Sequence, residues 1–251
     1  MALIIPILLA AHATASSPIE TVDLWSLARP EAVCAASGSW VIGTNTQQPS
    51  VTNTNIELVV IEGRRVIQVM HRSTDPSDAS HDLYQLDQGT LSPLLTEHTG
   101  PTPPVRFTFE REGETLVARA SAGEEKTAFT TPPAADGPGL EVIVQAVPWR
   151  PGLVLRSPML NRWSQKGQAR AQSVTWTVEA VETIDTLAGS VETYRVVLKP
   201  DDLTWDMTLF ISTERPHAIA RIAYQPAGRP RALLSDLREI AFHCGSASTP
   251  R

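Results

Sequence analysis

Runs in which apolar and polar residues alternate dominate this sequence, and nothing else constrains its fold as tightly. Successive side chains of an extended chain point to opposite faces, so each such run predicts a strand with one buried side. Val105, Phe107 and Phe109 alternate with Arg106, Thr108 and Glu110. Val174, Trp176 and Val178 alternate with Thr175, Thr177 and Glu179, and Tyr194, Val196 and Leu198 form a similar row. Trp205, Met207, Leu209 and Ile211 alternate with Asp206, Thr208, Phe210 and Ser212. Glu62-Gly63 divides the runs at 56–61 and 66–70, and Glu112-Gly113 those at 105–111 and 115–121, as hairpin turns would. Further strands are predicted at 83–86, 126–130, 218–224 and 237–242. About eleven short strands at regular spacing predict a mainly β chain, with one antiparallel sheet curved into a barrel or half-barrel.

One segment follows a helical period instead. Leu140, Ile143, Val144 and Val147 fall at i, i+3, i+4 and i+7, with Asp136 as a cap, Pro138 in the first turn and Pro148 ending the helix. A second, shorter helical turn or loop is expected over 31–36, after Pro30. The Pro-rich stretches 100–104 and 131–139 read as surface connections, because strand-like patterning continues on both sides. Residues 148–166, carrying Trp149, Pro151, Pro158 and Trp163 without periodicity, read as an ordered loop crossing the sheet. No repeat of fixed period occurs, which favours a single β-rich domain over 16–251.

Residues 1–15 read as a signal peptide. The apolar run 2–11 is shorter than the roughly 20 residues a bilayer span needs, and small-residue triplets follow it at Ala11-His12-Ala13 and Ala13-Thr14-Ala15. The basic start typical of a signal is missing, since the first Lys or Arg is Arg29, and a buried first element interrupted by Pro6 is the competing reading. A leader predicts a periplasmic or secreted protein, in which two cysteines most often pair. Cys34 and Cys244 are therefore a predicted disulfide, with two buried thiols as the alternative.

The chemistry of common enzyme classes is hard to place. A formal charge of -6 argues against a nucleic-acid partner. Two distant cysteines exclude the usual zinc sites, and no His-x-x-x-His or His-Glu-x-x-His spacing occurs. His71 with Asp75, or His81 with Asp82, could meet a ligand by folding, but such pairs are usually solvated. The string Ser37-Gly38-Ser39-Trp40 lacks the nucleophile-elbow pattern. Gly137-Pro138-Gly139 lacks the N–H donors of a phosphate loop, so neither a metal nor a cofactor is indicated. Asp201-Asp202 and Glu124-Glu125 read as turns, not as catalytic carboxylate pairs.

What remains is apolar. The inside of a curved sheet is concave, and concave apolar surfaces bind hydrophobic ligands. Phe107, Trp176, Trp205 and Met207 are candidate walls of such a cavity. Leu140, Ile143, Val144 and Val147 of the helix, with Trp149 and Trp163 of the following loop, are candidate gates. The same residues would equally serve as a filled core.

Several strings between Leu83 and Tyr224 carry a family resemblance. They are Asp82-Leu83-Tyr84-Gln85-Leu86-Asp87 with Thr90-Leu91-Ser92-Pro93, then Leu140-Glu141-Val142-Ile143 leading to Val147-Pro148-Trp149-Arg150-Pro151-Gly152. Next come Val178-Glu179-Ala180-Val181-Glu182-Thr183-Ile184, Leu187-Ala188-Gly189-Ser190 and Tyr194-Arg195-Val196. Leu203-Thr204-Trp205 and the Arg215-Pro216-His217 turn complete the set. The segment resembles a bacterial periplasmic family of unassigned function, similar in architecture to the outer-membrane lipoprotein carriers and receptors. The resemblance implies an unclosed barrel of about eleven antiparallel strands, with a helical lid over an apolar cavity. It implies no catalytic residue. A non-catalytic protein holding a lipid or other hydrophobic molecule is the expectation. An envelope hydrolase with a site assembled only in three dimensions, and an interaction module with a filled core, are the alternatives.

Overall fold

Alternating runs become strands, and the turns between them set the order of pairing. The computed structural model describes residues 21–75, 80–100, 104–121, 126–133, 139–161, 170–228 and 231–244. The first elements are β1 (Thr21–Asp23), α1 (Leu24–Leu27), a 3₁₀ turn at Pro30–Ala32 and β2 (Ala35–Ile42). A meander follows: β3 (Ser50–Ile61), β4 (Arg64–Ser73), β5 (His81–Asp87), β6 (Pro93–Thr99), β7 (Val105–Glu112), β8 (Thr115–Ala120) and β9 (Lys126–Phe129). Helix α2 (Gly139–Ala146) then separates it from a second meander. That meander is β10 (Val154–Asn161), β11 (Arg170–Thr186), β12 (Gly189–Pro200), β13 (Trp205–Ser212), β14 (Ile219–Pro226) and β15 (Leu233–His243).

All fifteen strands join one sheet in the order β1-β10-β11-β12-β13-β14-β15-β2-β3-β4-β5-β6-β7-β8-β9. Every neighbouring pair is antiparallel except β1 with β10. Each of the eleven expected runs falls on a strand, to within one residue at its ends, and the number is corrected by four: β1, β2, β6 and β10. Three residues in β1 are too few to show a period. Small residues in β2, Ala-Ala-Ser-Gly-Ser, hide the alternation, and β6 opens on a proline. β10 overturns the predicted loop across 148–166. It pairs with β11 along its whole length but with β1 only at Val154, Leu155 and Arg156. Pro158 lies beyond that short pairing, where a proline is tolerated at a sheet edge. The turn expected over 31–36 is likewise shorter, ending at Ala32 before β2 begins.

The sheet curls around α2 without closing into a barrel. From β10 to β5 there are nine strand spacings, about 43 Å if the sheet were flat. An eight-residue helix is only about 12 Å long. Yet Leu140, Ile143 and Val144 belong to one core cluster with residues of β10–β15, while Val142 and Ala146 belong to a second with residues of β2–β5. Bulges between β11 and β12, β13 and β14, and β15 and β2 supply local bending. A third cluster brings Phe129 of β9 to Leu160 of β10, so the two ends of the sheet meet through side chains. The Trp25 indole N–H also crosses that seam to the Pro132 carbonyl.

Cys34 and Cys244 are bonded. Ala35 faces His243 in the β2–β15 ladder, so the bridge is its next rung. It therefore clasps adjacent strands in the middle of the sheet, although it joins distant parts of the chain. Residues 1–20, with the expected leader, and Trp163, Asp136, Pro138 and Glu124-Glu125 lie outside the described residues.

Candidate functional site

Helix α2 is where the sequence-predicted residues converge. All eight of its residues are buried. Leu140, Ile143, Val144 and Val147 pack in one cluster with Trp149, Trp176 and Trp205, and Met207 sits partly exposed against it. The Trp149 and Trp176 rings lie 6.2 Å apart. The Trp149 indole N–H donates to the Val144 carbonyl at 2.9 Å, and that of Trp176 to Ser157 Oγ at 3.0 Å. Trp205 donates to Gln172 Oε1 at 3.2 Å. Burying a tryptophan without such a partner would cost free energy, so these pairs hold the rings in place. Phe107 is separate: it packs in the cluster of β7–β10 near the seam.

The other side of α2 is polar, and sequence reasoning missed it. Glu141 and Gln145 are four residues apart and share a helix face. The Glu141 side chain retains only 8% of its exposure. Its Oε1 lies 3.1 Å from His71 Nε2 of β4 and accepts the Thr54 hydroxyl of β3 at 3.4 Å. Gln145 Oε1 accepts the Cys34 backbone N–H at 2.8 Å, beside the disulfide. His217, 3% exposed, enters from the turn between β13 and β14, with Nδ1 2.8 Å from the Ser212 carbonyl and its ring edge against Tyr194. Burial holds its pKa below the ordinary histidine value; the Ser212 bond opposes that shift and Arg215 reinforces it. Glu141 Oε2 and His217 Nε2 have no hydrogen-bond partner among the described residues. Both residues, with Gln145, line one small cavity of about 10 Å³, walled by Trp40, Ile56, Ile240 and Phe242.

No protein-family model matches the chain. A search of curated proteins finds no match either. Among solved structures, the chain is similar to a crystal structure described as "a putative lipoprotein from Parabacteroides distasonis ATCC 8503", at 10% identity and a TM-score of 0.35. The match covers 88% of this chain and 100% of that one.

The polar cluster is not arranged as a hydrolytic triad. The Thr54 hydroxyl and the His71 ring both contact the carboxylate, so the histidine is not placed against the hydroxyl as its base. No three metal-capable side chains converge among the described residues. His71 pairs with Glu141, and Asp82 pairs with His98 at 2.8 Å across β5 and β6. Asp201 and Asp202 do occupy the turn after Pro200; Asp201 pairs with Arg156 at the surface. Larger recesses are open surface clefts. One of about 660 Å³ follows the seam and is lined by Thr21, Phe129, Arg156 and Pro158 among others.

One sequence signal could have exposed the polar face. Val142 lies off the stripe formed by Leu140, Ile143, Val144 and Val147, so the helix is apolar on more than one side. Such a helix is buried all round. Glu141 and Gln145 must then be interior groups in need of partners.

Proposed function

We propose that this chain is a non-catalytic, extracytoplasmic binding protein that holds an acyl chain or another hydrophobic group within its curved sheet. α2 is the cover of that site. The observation that supports this reading is the mixed character of α2. It fills the concave side with apolar residues yet brings the Glu141 carboxylate into the same interior. A carboxylate gives up hydration when it is buried, so Glu141 makes α2 easier to displace than an all-apolar helix would be. Displacing α2 would free an apolar surface made by Trp149, Trp176, Trp205 and Met207. Leu140, Ile143, Val144 and Val147 would then follow the ligand as the inner face of the cover. The disulfide supports the assignment to an oxidising compartment, and no helix among the described residues is long and apolar enough to cross a membrane.

A second reading, an interaction module with a permanently filled core, draws on the close packing around α2. Native mass spectrometry of gently purified protein, followed by titration with a pyrene-labelled fatty acid, separates the two. The binding reading expects a co-purifying lipid mass or saturable binding that changes tryptophan emission. A bare mass together with no binding leaves the filled module.

A further inference from the structure

The pocket beside α2 brings together two residues, Glu141 and His217, that each carry a buried acceptor with no partner among the described residues. The Ser212 carbonyl can only accept, so His217 Nδ1 carries the hydrogen in that 2.8 Å bond and the neutral ring offers a lone pair at Nε2. Glu141 Oε1 is occupied by Thr54 and His71, while Oε2 has no partner among the described residues, and both Glu141 and His217 line the pocket. Two acceptors cannot bond each other. Whatever joins them must donate twice and must fit a cavity of about 10 Å³. That is about the space one water molecule needs, and a void stays dry only when its lining is apolar.

We propose that one buried water molecule occupies this pocket, donating one hydrogen to Glu141 Oε2 and the other to His217 Nε2. It ties the middle of the chain, at α2, to the turn between β13 and β14. The ladder does not make that connection, because α2 belongs to no strand pairing. The site stands whether or not α2 ever moves, so it does not depend on the binding reading above. It also explains how a carboxylate can be kept inside a core otherwise built from Ile56, Ile219 and Phe242: each of its oxygens has a donor.

Magnetic relaxation dispersion of ¹⁷O counts water molecules with long residence inside a protein. His217→Phe and Glu141→Leu each remove one acceptor, and each is expected to lose one long-lived water relative to the native chain. Glu141→Gln keeps it, since the amide can donate to the same water while that water donates to His217. Equal counts in the native protein and in both acceptor-deleting variants would overturn the proposal. Should those variants fail to fold, a crystal structure of the native protein decides. Ordered water about 3 Å from both atoms is the expected result. An empty pocket, or a direct Glu141–His217 hydrogen bond, overturns it.

Discussion

The two sides of α2 are built on opposite terms. Toward Trp149 and Trp176 the interior is apolar, and both indole N–H groups are paired. Toward β3, β4 and the β13–β14 turn the apolar packing of Val142 and Ala146 is interrupted by polar groups, and two buried atoms have no protein partner among the described residues. Apolar packing is non-directional, so it holds the helix in the hollow without specifying how it is turned. Hydrogen bonds are directional, so Glu141 and Gln145 select the rotation and the strands that α2 faces. The first side supplies adhesion; the second supplies address.

The largest expected effect comes from cutting the clasp below the polar side. Replacing Cys34 and Cys244 together with serine removes a cross-link closing 210 residues, worth about 5 kcal/mol in the chain-entropy model. Urea denaturation of the oxidised native protein and the double variant measures it. A loss below about 1 kcal/mol would mean that the unfolded chain is already compact enough without the bridge to keep its two ends close. Next is Trp176→Ala, which empties the centre of the apolar side and should cost about 4 kcal/mol. A much smaller loss would show that this side collapses around the gap and is less tightly packed than its burial implies. Gln145→Ala should cost less, about 1–2 kcal/mol, because it strands one partly buried N–H at Cys34. If Gln145→Ala matched Trp176→Ala, the distinction between adhesion and address would fail.

The same contrast separates what was legible in the sequence from what was not. The apolar side follows from local periods: Val174, Trp176 and Val178 alternate, and Leu140, Ile143, Val144 and Val147 recur helically. Each pattern names its own buried face. The polar side follows from long-range register. His71 reaches Glu141 across 70 residues, and Gln145 reaches Cys34 across 111. Neither pair shares a motif, so spacing could not reveal it. The four unexpected strands failed for a related reason. β2 and β10 are held by their neighbours and by the disulfide, so small residues and a proline suffice where an isolated strand would need a stronger pattern.

The smallest expected effect is a pH dependence from the polar side. His217 is held below its ordinary pKa, first by burial and then by repulsion from Arg215, against the pull of the Ser212 carbonyl. Glu141 lines the same pocket, and the Tyr194 ring packs against the imidazole. In the unfolded chain its pKa is about 6.5. Between that value and the lower folded one, the unfolded state binds the proton and the native state does not. Stability is therefore complete above about pH 6.5 and declines as the pH falls toward the folded value. Asp87 loses stability in the same direction but in a different window. Burial raises its pKa, yet bonds from Arg64 and Thr90 outweigh that and hold it below the usual carboxylate value, so its contribution fades only near pH 4 and below. Urea midpoints of the native chain and His217→Gln, compared from pH 7.5 to pH 5, isolate the histidine. The variant should show the shallower decline. Parallel curves would mean that His217 keeps its proton affinity in the fold, and that the polar side of α2 is wetter than its burial implies.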